Sequence, residues 1–392
     1  MNTKSRSCLT RCWALSMLLM LFTSVVYADV VLVDDVEYEL YTSNKTAKVL
    51  SVSQDAKSIT IPAIVTYEDE DYEVVELGYD VTFAGNTNLT SVTIEMPLTQ
   101  IPESFFMKCT KLSSIKLPEG VSFIGRGAFS YCESITSLDF LPKSVNRIGY
   151  EAFCGCTGLT EIVIQKGVDY YSNVFDGCSG VASVTIEAVE SNVFIGYGGF
   201  TSLKSVRIED CDAPLSVNLP NDAPIEELYI GRNVGLGFNK TNLKAVTFGE
   251  KVTYVPEGMF DGASALSSVT WGNKIKWIGK RAFYGTALVD LNLPECVDSL
   301  AEEAFAENQM LETIKLPSTL KHIGSSCFFD SQVREVVFPE SLEAIDGFNG
   351  CDSLKRIIIS DNAKVIKHRA FANCIYNHRT TKTNQKYPSV NL

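Results

Sequence analysis

Histidine is almost missing from this chain. The 392 residues hold three, His322, His368 and His378, all in the C-terminal quarter. Nucleophilic catalysis needs a base beside its nucleophile and a third group to orient that base, and no segment offers that constellation. The glycines follow neither G-x-x-x-x-G-K-[ST] nor a dinucleotide fingerprint, so no phosphate-cradling loop is present. Cys154-Gly155-Cys156 is a lone C-x-C with no second ligand pair, which argues against zinc. The acids of "YEDEDYE", Tyr67 to Glu73, stand side by side, whereas calcium ligands alternate with spacers and a glycine turn; a solvated hairpin tip suits them better. No enzyme, cofactor or metal site is predicted.

Positive charge is also scarce, with 34 Lys and Arg against 47 Asp and Glu. Nucleic acid is therefore excluded as a partner, because phosphate binding needs a basic face. Long apolar runs are confined to Trp13–Val26, which follows Lys4, Arg6 and Arg11 and precedes Val26-Tyr27-Ala28. That order marks a secretory signal peptide over residues 1–28, too short for a membrane span. Arg11 beside Cys12 is wrong for a lipoprotein site. Taking three basic residues from 34 leaves 31 against 47 acids, a mature charge near −16, which favours a soluble monomer outside the cytoplasm.

What is abundant is one phrase. "IGRGAFSYC" at Ile124–Cys132 returns as "IGYEAFCGC" at Ile148–Cys156, and its phenylalanine recurs along the chain. The anchors are Phe83, Phe106, Phe129, Phe153, Phe175, Phe200, Leu219, Phe238, Phe260, Phe283, Phe305, Phe328, Phe348 and Phe371, in steps of 19 to 25 residues. About six residues after most anchors stands L-x-x-V-x-I, as in Leu159/Ile162/Ile164. Its period of two predicts a short strand. Proline often follows (Pro62, Pro118, Pro294, Pro317, Pro339) and ends the strand, having no N–H for a ladder. I-G-x-x-A-F is then expected to form one short helical turn.

A single unit cannot bury its own apolar edge, so the units must stack into a solenoid with a parallel sheet and a phenylalanine core. Fourteen coils about 4.8 Å apart give a rod or shallow arc roughly 65 Å long. The short steps around "DAPLSVNLPNDAP" mark a degenerate middle. A right-handed parallel β-helix is the alternative architecture; the helical turn favours the leucine-rich-repeat type.

"LSSIKLPEGVSFIGRGAFSYC", Leu112 to Cys132, resembles the repeats of the BspA-like leucine-rich-repeat family, and the likeness covers roughly residues 36–374. The segment from Val36 to Gly78 is similar to the β-hairpin cap that opens these proteins, giving a cap over 29–80 and an array over 81–374. The resemblance implies an exported, often cell-surface protein of bacteria such as the Bacteroides group, associated with attachment to host proteins or other cells. Residues 375–392 are polar and basic, with no strand expected after the last anchor.

Ten cysteines follow the leader. Six of them (Cys109, Cys132, Cys156, Cys178, Cys351, Cys374) sit three residues after an anchor, a slot held elsewhere by Asn86, Thr241, Ala263, Thr286, Asn308 and Ser331. A small side chain able to hydrogen-bond nearby backbone fits that slot. Stacked coils hold such Cβ atoms too far apart for disulfides, so free buried thiols are expected.

Binding capacity must lie in the positions that the repeat leaves free. One row lies between the inward residues of the strands and includes Val163, Thr185, Arg207, Tyr229, Thr247 and Thr270. A second precedes the isoleucine of I-G: Phe123, Arg147, Tyr254, Trp277 and His322. Tyr254 and Trp277 should lie side by side near the surface, as protein hot spots or sugar-stacking rings do. The expected function is non-enzymatic interaction, adhesin-like capture of a host-matrix or bacterial-surface protein. The alternative is glycan binding at the cell surface.

Overall fold

The computed structural model describes residues 28–374 and a strand at Arg379–Lys382. The leader lies outside them, apart from Ala28. No helix among the described residues is long and apolar enough to cross a membrane.

Strands Ala28–Val33, Val36–Tyr41, Thr46–Val52, Glu70–Leu77 and Ile64–Tyr67 form a five-stranded sheet in that order. Val36, Tyr38 and Leu40 alternate inward with polar neighbours, so one face is buried, and burial pushes the Tyr38 phenol up to about 12. The acidic run closes the hairpin between Ile64–Tyr67 and Glu70–Leu77. Glu68 and Asp69 form its tip at φ 51° and 64°, as a two-residue hairpin turn requires.

Strand Ser58–Ile61 pairs in parallel with Ser91–Ile94, and from there the chain is a solenoid. The L-x-x-V-x-I strands form parallel sheets of three, six and five members. In the six-stranded one, Glu161–Ile164, Ser183–Ile186, Ser205–Ile208, Glu227–Ile230, Ala245–Phe248 and Ser268–Thr270 run in unbroken register. The I-G residues make a second set of short parallel strands, such as Phe123–Ile124 against Arg147–Ile148. Anchor phenylalanines fill the space between the two sets. Their rings stack at 5.1 Å (Phe83–Phe106 and Phe106–Phe129), 5.4 Å (Phe129–Phe153) and 6.0 Å (Phe153–Phe175). The stack resumes from Phe260 through Phe283, Phe305, Phe328 and Phe348 to Phe371.

Between Phe175 and Phe260 the stack is interrupted where the coils shorten. There the fully buried Arg232 donates to the Val189 carbonyl at 2.7 Å. Its Nη2 has no partner.

Two expectations are corrected. The helical turn does not form, and no helix occurs among the described residues. Residues two before and two after the anchor take left-handed φ, as at Glu151 (56°), Arg281 (53°), Tyr131 (59°) and Glu307 (60°), which interrupts any helix. Alternate N–H groups serve the neighbouring coil, as Phe106 donates to the Ala128 carbonyl at 2.7 Å and Phe129 to Ala152 at 2.8 Å, while those between close single turns, as Ser130 to Gly127 at 3.0 Å. The second correction is at the C-terminal end, where Arg379–Lys382 pairs in parallel with Arg356–Ile359. A strand therefore follows the last anchor.

The glycine of I-G is retained for space, not for conformation. A Cβ on Gly125 would stand 2.7 Å from the Ile101 carbonyl oxygen and 2.8 Å from the Glu103 nitrogen; one on Gly324 would stand 2.4 Å from backbone atoms of Ala301 and Glu302. Coil spacing thus favours glycine at these positions, while other coils hold Pro102, Tyr171, Pro256 or Ala301 at the same register.

The cysteine slot is equally regular. Each of the six thiols donates to the carbonyl of the preceding coil's anchor, from Cys109 to Phe83 at 3.0 Å to Cys178 to Phe153 at 3.2 Å. Asn308 makes the same bond to Phe283 at 2.8 Å. All ten cysteines among the described residues are free, seven of them buried. Burial pushes Cys109, Cys178 and Cys351 up to about 12.

Gly125→Ala should lower stability in urea unfolding by about 1–3 kcal/mol through forced overpacking; an unchanged midpoint would refute the spacing argument. The raised thiols are neutral in the fold and ionise first in the unfolded chain. Stability is therefore complete below the ordinary thiol value of 9.0 and lost as pH climbs towards about 12. Urea midpoints at pH 7, 8, 9 and 10 should be flat at first and then fall.

Candidate functional site

The free rows separate into three places. The first is the outward face of the six-stranded sheet, where Val163, Thr185, Arg207, Tyr229, Thr247 and Thr270 stand in one transverse line. The strand period of two turns this line outward while Val206, Leu228 and Val246 face the core. At its centre the Arg207 guanidinium lies 3.8 Å from the centroid of Tyr229. Glu209 takes a bond from Arg207 Nε at 2.7 Å, and Tyr229 donates its hydroxyl to Asp210 at 2.8 Å. Burial, followed by the bond to Asp210, raises the Tyr229 phenol above its ordinary value; the bond to Glu209 raises Arg207. The ring contact and the two hydrogen bonds orient both groups in the direction of a partner's approach, which lowers the entropy cost of binding.

The second place is the paired aromatics. Tyr254 and Trp277 are register partners in adjacent I-G strands. Their ring centroids are 6.2 Å apart and tilted by 40°, with 37% and 39% of each residue exposed. They form an open platform continued by Ser299 and His322. Phe123 is a third, separate place. It lies in an earlier sheet of I-G strands, half-buried, with the Arg147 guanidinium 5.4 Å over its ring.

The row argument missed a second aromatic edge. Tyr150 and Tyr171 stack at 4.9 Å, and Phe194 meets Tyr197 edge-on at 4.8 Å; all four are exposed. The signal was available, since "IGYEAF" and "IGYGGF" place tyrosine in the same slot after I-G. It also missed an open depression of about 310 Å³ beside Tyr254, with Asn192, Ser216, Asn233 and Gly235 in its lining. Nothing in the repeat grammar points to it, because it forms where the repeat fails.

The chain belongs to a known family. The BspA-type leucine-rich-repeat region matches in six copies over residues 79–207, 234–347 and 346–389, so the class is a BspA-type leucine-rich-repeat solenoid. Its second match begins at Val234, within the second short coil. Among solved structures the chain is similar to a leucine-rich-repeat protein from Bacteroides ovatus, at 24% identity and TM-score 0.42 over 90% of this chain and 100% of that one. It is also similar to a leucine-rich cell-surface protein from Faecalibacterium prausnitzii (20% identity, TM-score 0.32, 88% of this chain and 98% of that one). The pneumococcal vaccine antigen PcpA is similar at 19% identity and TM-score 0.34, over 91% of this chain and 94% of that one. Among curated proteins there is no match.

Truncating Tyr254 and Trp277 together to alanine should leave thermal stability within a few degrees, because both rings are more than a third exposed. A large drop in melting temperature would show that the rings serve packing instead.

Proposed function

We propose that this protein is an exported, non-enzymatic interaction scaffold that captures another protein, from host matrix or a bacterial surface, on the outward face of its six-stranded sheet. The observation that carries this reading is the line from Val163 to Thr270, held in register over six coils, with Arg207 fixed on Tyr229 at its centre. Interface hot spots are rich in tyrosine and arginine, surrounded by contacts that exclude water. This face has that composition: a braced aromatic–guanidinium pair between threonines. A solenoid suits the task because its surface grows with coil number while its core stays one coil wide. The leader over residues 1–28 and the net acidity of the remainder agree with export in soluble form.

The test is a binding panel of matrix and bacterial-surface proteins, using the secreted chain and an Arg207→Ala/Tyr229→Ala variant. Saturable binding to a panel member, weakened at least about tenfold in the variant, is the expected result. Binding that the double substitution leaves untouched would remove this face from the function.

A further inference from the structure

The short coils that interrupt the phenylalanine stack also change the outer surface. In strand Val234–Gly237 both outward positions are glycine, Gly235 and Gly237. A Cβ on Gly235 would meet only Ser216 Oγ, at 3.8 Å, so this glycine leaves outward space empty. In register with the two glycines are Ser216 and Asn218 of the preceding strand, and beside Asn218 stands Phe194. On the other flank comes Tyr254, then Trp277. Asn233 locks this junction: its amide donates to Thr253 Oγ1 at 2.9 Å and accepts from the Thr253 N–H at 2.9 Å. Tyr254 is thereby held at the edge of the depression.

The result is a shallow saddle with a polar, side-chain-poor floor between exposed rings. From the Phe194 strand to the Trp277 strand the saddle crosses five strands, three in one sheet and two in the next, joined where Asn233 meets Thr253. The Asn192 amide and the Ser216 hydroxyl reach the depression and make no hydrogen bond inside the protein, so each offers both a donor and an acceptor. No carboxylate, ammonium or guanidinium lines it.

We propose that this saddle binds a neutral polysaccharide chain laid across the strands. A sugar ring has an apolar C–H face and a rim of hydroxyls. The first matches the open, tilted faces of Tyr254 and Trp277, and the second matches an amide and a hydroxyl that each donate and accept. An uncharged lining selects a neutral glycan, and a saddle of this length selects a chain over a monosaccharide. The site lies on the I-G strands, reached through the turn 249–253, and does not depend on the sheet face assigned to protein capture.

Tryptophan emission tests this directly. The secreted chain has two tryptophans; Trp271 is packed on Phe248 and Phe283, so a surface ligand is reported by Trp277. The secreted chain is titrated with cellohexaose, xylohexaose, maltohexaose and chitohexaose. A saturable emission change with at least one of them is expected, weakened at least tenfold in Gly235→Leu, which fills the floor and keeps both rings. Asn192→Ala/Ser216→Ala, changing exposed side chains alone, should weaken it several-fold and serves if Gly235→Leu fails to fold. No saturable change with any of the four at millimolar concentration overturns the proposal, as does binding that both variants leave unchanged. Protein capture lost in Gly235→Leu without any sugar response would assign the saddle to a protein partner and overturn it equally. Loss of capture in Arg207→Ala/Tyr229→Ala has no bearing on this site.

Discussion

Everything in this molecule depends on coil-to-coil registry. In the solenoid, strands, corner N–H groups and many anchor carbonyls find partners in a neighbouring coil, as when Phe129 donates to Ala152 and Cys156 donates to Phe129. A single coil has neither a closed hydrogen-bond set nor a buried face, so its stability exists only in the stack. Left-handed φ at residues such as Glu151 and Arg281 costs roughly 1–2 kcal/mol each in isolation. The ladder bonds on either side offset that cost, and the same two positions recur because every coil must turn through the same corner.

Registry also explains which letters repeat. Phenylalanine recurs because its ring must stack on the rings above and below. Glycine in I-G recurs because the preceding coil's backbone passes where a Cβ would stand. Where the residue three after the anchor is a thiol or Asn308, it reaches the carbonyl of the preceding anchor, whereas Thr286 and Ser331 bond to the neighbouring slot residue instead. Variation is tolerated where a side chain leaves the stack, and there the Arg207–Tyr229 pair and the Tyr254–Trp277 pair stand. Ion pairs such as Arg281 with Asp261 and Glu303 bridge consecutive coils at the surface, where their contribution is modest.

Much of this was legible in sequence. Period-two patterning located the strands, and a constant anchor interval gave the pairing of Tyr254 with Trp277 and the line through Arg207 and Tyr229. The corner was misjudged because Ile, Ala and Phe at that spacing suit a helical turn and a coil corner alike. What separates them is the destination of the N–H groups, a nonlocal property. The C-terminal strand was missed because "RTTK" has no branched apolar pair to mark an inward face. The saddle was invisible for a different reason: it is made by two glycines and two short coils, which weaken the repeat signal at the point where they create a shape.

The interruption between Phe175 and Phe260 has a mechanical meaning. Two aromatic columns, one of five rings from Phe83 to Phe175 and one of six from Phe260 to Phe371, are joined by coils that lack ring stacking and enclose Arg232. The joint keeps the six-stranded ladder, but its I-G ladder is broken on both sides and it lacks the ring contacts that resist bending. The joint is therefore the flexure at which bending the rod would break the fewest ring contacts. The saddle sits on that flexure, so a chain lying across it would act as a splint between the two columns.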